Sequence, residues 1–230
     1  MGKDVIIALD FSSGKEALEF LDGFDEKLFV KVGMELFYSE GSGIIKEIKS
    51  RGHKIFLDLK LHDIPNTVEK SMRVLSKLDI DMINVHASGT RNMMSAAKKG
   101  LGESNTILLA VTQLTSTDQD TMTEELLIKE PIEKVVLKYS SNAKDSGLQG
   151  VVCSPMEAPL IHKYLGGEFL TVTPGVRLKG DDKGDQKRVT TPRMAKELGS
   201  DYIVVGRSIT KAENPLLAYK KCLDEFVLEV

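Results

Sequence analysis

A chain of 230 residues that is 41% hydrophobic and 28% charged has ample apolar material for a large core, which argues against disorder and makes one domain, 1–230, the expectation. Its formal net charge of -3 gives no general attraction for a polyanion, so nucleic-acid binding is disfavoured and any phosphate site must be a local cluster of donors. The opening MGKDVIIALDF has too short an apolar run for a secretory core, no stretch approaches a membrane span, and Cys153 and Cys222 lack CxxC spacing; a cytoplasmic chain with two buried thiols and no membrane association is expected.

The first apolar, β-branched run is VIIALD (5–10), ending on Asp10, and the second is LFVKVG (28–33), carrying Lys31. Glu35 follows and falls in a helical stretch. GIIKEIKSRG has helical periodicity and finishes at Gly52, a helix-ending residue. The third run is KIFLDLK (54–60), after which Asn66 is placed to cap the helix TVEKSMRVLSKL. MINVHA (82–87) and TILLAVTQL (106–114) are the fourth and fifth runs, and PIEKVVLKYSSNAKDSG reads as a helix closed by Gly147. GVVCSP (150–155), FLTVTPGV (169–176) and YIVVGRSI (202–209) complete the set, before a last helix capped by Asn214 with Pro215 in its first turn. Eight strands alternating with helices in this length imply parallel crossovers and a closed α/β architecture, the (β/α)8 TIM barrel, rather than an open doubly wound sheet.

Side chains alternate across a strand, so Phe56, Asp58 and Lys60 share one face of the third run while Leu57 and Leu59 share the other. With the leucines toward the helices, Asp58 and Lys60 point into the barrel near the strand's C-terminal end, where catalytic groups sit in this fold. The same parity brings Asp10, Lys31, Asn84 and His86 to that rim, with Thr115 after the fifth strand. A lone aspartate there is as readily a capping or salt-bridged residue, and His86 as readily a hydrogen-bonded rim histidine. Two lysines and two aspartates aimed into one barrel mouth are harder to explain structurally, because buried ion pairs gain little over apolar packing. His53 and His62 flank the motif with weaker signals.

Two segments read as phosphate recognition. In VGRSIT, the amides of Gly206 and Arg207 open a short helix, and in TPGVR, Gly175 stands beside Arg177; both follow the late strands, whose loops commonly hold phosphate in such barrels. Between Arg177 and Gln186 the charged run LKGDDKGD suits a closing lid.

The segment DLKLHDIPNT (58–67) resembles the DxKxxD motif of the orotidine 5'-phosphate decarboxylase family, and ALDF, KVG, LTST, TPGVR and VGRSIT resemble its other segments in the same order, so the likeness spans nearly the whole chain. DxKxxD alone is shared with sugar-phosphate decarboxylases of the same suprafamily; HDIPNT makes the likeness specific. The resemblance implies decarboxylation of orotidine 5'-phosphate to uridine 5'-phosphate and CO2, the last step of de novo pyrimidine nucleotide synthesis, without cofactor or metal. It implies Lys60 as proton donor, with Asp58, Lys31 and Asp63 completing the charge array. Asp10 and Thr67 would hold the nucleotide near its base and ribose, Thr115 would lie near the pyrimidine, and Arg177, Gln186, Gly206 and Arg207 would bind the phosphate. It further implies a homodimer in which Asp63 and Thr67 enter the partner's site. Metal-dependent relatives carry an acidic residue where this chain has Lys31, and a cation there repels Mg2+. A binder that had lost the chemistry would be expected to lack the central lysine or one of its aspartates.

Overall fold

The computed structural model describes residues 3–180 and 189–228. Eight parallel strands, β1 (Asp4–Ala8), β2 (Phe29–Gly33), β3 (Lys54–Leu61), β4 (Met82–His86), β5 (Ile107–Val111), β6 (Gly150–Val152), β7 (Leu170–Thr173) and β8 (Tyr202–Val205), close into a barrel in chain order. The ring is shut by β1 against β8, with Asp4 opposite Tyr202 and Ile7 opposite Val205. Helices α1 (Gly14–Leu21), α2 (Met34–Glu40), α3 (Gly43–Ser50), α4 (Pro65–Leu75), α5 (Thr90–Leu101), α6 (Gln119–Glu124), α7 (Ile132–Asp145), α8 (Ala158–Leu165), α9 (Pro192–Glu197), α10 (Arg207–Thr210) and α11 (Pro215–Phe226) connect the strands or follow the last. This is the (β/α)8 barrel expected from the alternation of runs.

Two apolar cores follow from strand parity. Ile55, Leu57 and Leu59 of β3 pack outward with Val68, Met72 and Leu75 of α4, while Phe56 joins Ile6, Met82, Leu109, Val172 and Val204 inside the barrel. At the interior's N-terminal end the rings of Phe29 and Tyr202 meet edge-on, with centroids 6.0 Å apart, so apolar side chains plug that end and leave the C-terminal mouth for polar groups.

Most predicted strands run longer than the observed ones, the exception being β3, which continues one residue further to Leu61. β1 stops at Ala8 and β5 at Val111, so Asp10 and Thr115 stand on loops just past the ladder. Gly52 and Gly147 do follow α3 and α7 with left-handed backbone, and the Asn214 side chain accepts the Leu217 N–H at 3.0 Å at the start of α11. Asn66 does not cap α4. Pro65 takes the first helical position, which moves the cap back to Ile64, a residue held extended by the following proline and lacking a side-chain oxygen. Both cysteines are buried. Among the described residues no helix is long and apolar enough to cross a membrane.

Candidate active site

The C-terminal ends of β1 to β3 bring four charges into a line. Asp10 Oδ1 lies 3.1 Å from Lys31 Nζ, Lys31 Nζ 3.5 Å from Asp58 Oδ2, and Lys60 Nζ 2.7 Å from Asp58 Oδ1. Signs alternate along the line, so each inner charge has an opposite neighbour on both sides. Burial alone would push the Asp58 carboxyl up, but the ammonium groups of Lys31 and Lys60 and the Asn84 amide outweigh it and hold the carboxyl below its usual range. For Lys31 burial works downward and loses to the carboxylates of Asp58 and Asp10, leaving its ammonium above the usual lysine range. At neutral pH both groups are therefore ionised.

β3 pays for this arrangement with an irregular backbone. Its register with β4 runs from Leu57 opposite Ile83 to Leu61 opposite Val85, so β3 carries two more residues than its neighbour over the same span. Lys60 sits in that bulge with φ 52°, a left-handed conformation that costs a side-chain-bearing residue about 1–2 kcal/mol. The Lys60 N–H donates to Asn84 Oδ1 at 2.8 Å, and Asn84 Nδ2 donates to Asp58 Oδ1 at 2.7 Å. A strained residue held by a buried side chain at a barrel mouth is the usual mark of a working site.

Above the charges lies a cavity of about 460 Å³ lined by Asp10, Lys31, Asp58, Lys60, Thr115, Arg177, Gly206 and Arg207. The charge line occupies one side. Gly175, Arg177, Gly206 and Arg207, brought by the chain after β7 and β8, form another. Arg177 is 9% exposed and its Nη1 donates to the Val176 carbonyl at 3.0 Å, which fixes the guanidinium near the cavity wall. Gly206 precedes α10, so the amides opening that short helix stand beside Arg207.

Eight of the eleven candidate residues named from sequence thus share one cavity. Asp63 and Thr67 do not line it: both are exposed, and Asp63 Oδ1 accepts the N–H of Ile64 at 2.7 Å. Among the described residues Asp63 makes no ion pair with Lys60 of its own chain. Gln186 lies outside the described residues, as does the 181–185 part of the expected lid. His86 is set back from the cavity, its ring 5.6 Å from that of His62; burial, His62 and Lys60 hold its imidazole below the usual histidine range.

Gln113, Ser116 and Lys211 line the cavity and were missed from sequence. The first two flank Thr115 and carried no pattern of their own. Lys211 was legible, since it stands four residues after Arg207 and its N–H donates to the Arg207 carbonyl at 3.0 Å, one turn further along the same face. Among the described residues no group of three or more His, Cys, Asp and Glu is placed to hold a metal ion.

A closed parallel barrel with an alternating Asp and Lys line at its C-terminal mouth, facing backbone amides and arginines across one cavity, defines a barrel enzyme type of site for a small anionic ligand. The model of the Orotidine 5'-phosphate decarboxylase / HUMPS family matches residues 3–222. A protein of Bacillus cytotoxicus named orotidine 5'-phosphate decarboxylase is 58% identical over 227 residues, covering 96% of this chain and 95% of that one. The crystal structure of orotidine 5'-phosphate decarboxylase from Lactobacillus acidophilus superimposes with a TM-score of 0.88 at 44% identity, covering 98% of this chain and 100% of that one. The counterpart from Pyrococcus horikoshii gives 0.78 at 26% identity, covering 96% and 98%. The chain belongs to the orotidine 5'-phosphate decarboxylase / HUMPS family.

Proposed function

We propose that the protein decarboxylates orotidine 5'-phosphate to uridine 5'-phosphate and CO2, the last step of de novo pyrimidine nucleotide synthesis, in the cytoplasm, with the barrel acting as one catalytic domain. The observation that carries this reading is the Asp10, Lys31, Asp58 and Lys60 line facing Arg177, Gly206 and Arg207 across one cavity. Family membership supports the substrate.

The chemistry needs such a line. When the bond from C6 to the carboxylate breaks, the electron pair remains on C6 in an sp2 orbital that the ring carbonyls cannot fully delocalise. The barrier must then be lowered by fixed charge aimed at that carbon. Lys60 supplies a cation and then a proton: its Nζ–H bond breaks, a C6–H bond forms, CO2 leaves, and the neutral amine recovers a proton from water. Asp58 and Lys31 keep the ammonium oriented, and Asp58 also places negative charge near the departing carboxylate. Arg177, Gln186 and the amides at Gly206 and Arg207 would hold the phosphate, Asp10 and Thr115 the ribose and base. Binding at the phosphate, remote from C6, helps catalysis by organising the charge array around the ring.

The cavity is served by three of the four residues of the proposed catalytic array. The fourth, Asp63, faces outward beside Ile64, which is 65% exposed, a large apolar side chain suited to cover by a second subunit. This supports a homodimer in which Asp63 and Thr67 complete the neighbour's site.

Mixing the purified protein with orotidine 5'-phosphate and following the loss of orotate absorbance tests the reading directly. Steady loss of the band is expected, and Lys60→Ala should reduce the rate by roughly 10⁴-fold or more with an unchanged circular dichroism spectrum. An unchanged band with the parent protein would overturn the proposal.

A further inference from the structure

Asn84 is the fully buried polar side chain on β4 that touches both Asp58 and Lys60, with 0% of its surface exposed. We propose that Asn84 is a positioning residue for the decarboxylation: the two ends of its amide grip the Asp58 carboxylate and the Lys60 backbone and so fix where the Lys60 ammonium stands. The inference rests on the decarboxylase reading above for its chemistry.

The amide can face only one way. Oδ1 accepts from the Lys60 N–H and Nδ2 donates to Asp58 Oδ1; reversed, an oxygen would oppose a carboxylate and an NH2 would oppose an N–H. Asn84 thus favours the ionised form of Asp58 and, with the same group, the left-handed backbone of Lys60. Its place in the sheet explains why a side chain has this task. Between the Leu57–Ile83 and Leu61–Val85 pairs the regular ladder lapses, and the Asn84 oxygen takes the position of a main-chain acceptor for Lys60.

Losing that acceptor has a geometric consequence. Lys60 would no longer be held at φ 52°, and relaxation of that angle swings the whole lysine stem, moving Nζ from its place 2.7 Å from Asp58. Asp58 Oδ1 would simultaneously lose one of its two donors, Asn84 Nδ2, and keep Lys60 Nζ only if the lysine stayed put. The phosphate side of the cavity lies across from this pair and makes no use of Asn84. An effect on the chemical step with little effect on binding follows.

Asn84→Ala should lower kcat by roughly 10²-fold, as small misplacements of a reacting group do, while KM and the affinity for uridine 5'-phosphate stay within about threefold. In Asn84→Asp, a protonated new carboxyl can reproduce both bonds, whereas its ionised form opposes the Asp58 carboxylate. That variant should therefore lose kcat as pH rises through the new group's titration, over a range where the parent does not. Amide hydrogen exchange at Lys60 should be slow in the parent and accelerate in Asn84→Ala. The exchange measurement requires no turnover, so an inactive parent would count against the decarboxylase reading alone, while unchanged protection at Lys60 would sink the positioning role. So would kcat within threefold of the parent in Asn84→Ala, or losses of nucleotide affinity and kcat in equal measure. If Asn84→Ala does not fold, the Asn84→Asp profile decides, and a kcat that tracks the parent at every pH overturns the proposal.

Discussion

His53, just before β3, accepts the Leu28 N–H on its Nδ1 at 3.0 Å while only 5% exposed, so the ring is neutral with its proton on Nε2. Burial, then the nearby cations Lys27 and Arg51, hold its imidazole below the usual histidine range. A histidine depressed in the folded state is protonated first in the unfolded chain, so the unfolded state binds more protons as pH falls through about 6.5. Stability therefore declines on acidification, until the folded ring titrates too. The urea midpoint should fall between pH 7.5 and pH 5.5, and His53→Asn, whose Oδ1 can accept the same N–H without titrating, should flatten the slope. His86, depressed in the same direction, leaves part of it in place. An identical slope in the variant would remove His53 from the account. At this scale the sequence was informative wherever period two applies: Asp58 and Lys60 were placed inside the barrel by parity alone. The β3 bulge did not spoil that reading because it adds two residues, and an even insertion preserves which face each side chain takes. The grip of Asn84 on both residues was not legible, since it depends on a register shift between strands distant in sequence.

Among the elements, α4 and α5 pack closely enough that one glycine decides their separation. A Cβ at Gly100 on α5 would stand 2.3 Å from the Glu69 carbonyl oxygen and 2.8 Å from Met72 Cβ on α4. The backbone oxygen cannot rotate aside. Alanine is the better helix former by about 1 kcal/mol, yet overpacking of this kind costs about 1–3 kcal/mol or more, so Gly100→Ala should lower stability on balance. Urea unfolding checks this, and a variant as stable as the parent would show that the helices can part without loss. Element order was readable because each apolar run had to become a buried strand. The ends were not, because the polar residues that follow, such as Asp10 and Gln113, continue the strand pattern in sequence after the ladder has ended. The Asn66 cap failed for a related reason: Pro65 is compatible with the first helical turn, so the helix begins two residues earlier than the best capping side chain would set it.

For the whole molecule, the barrel was inferable from the count and alternation of runs, whereas assembly leaves little trace in a single chain. Parity stops at the end of β3, so nothing in the pattern tells which barrel Asp63 serves. In the folded chain its carboxylate accepts the Ile64 N–H on an exposed segment and makes no ion pair with Lys60 among the described residues. The proposed homodimer makes a sharp prediction from this placement. Lys60→Ala and Asp63→Ala proteins, each of greatly reduced activity, are unfolded together and refolded, or left to exchange subunits, and heterodimers are verified by two affinity tags. If Asp63 acts across the two-fold interface, a heterodimer holds one site with both lesions and one with none, because the Asp63→Ala subunit keeps its own Lys60 and receives an intact Asp63 from its neighbour. At random pairing half the dimers are mixed and each carries one sound site, so about a quarter of wild-type activity should return. If Asp63 served its own barrel, every site would keep one lesion, and a preparation containing verified heterodimers with no gain in activity would rule out the shared site.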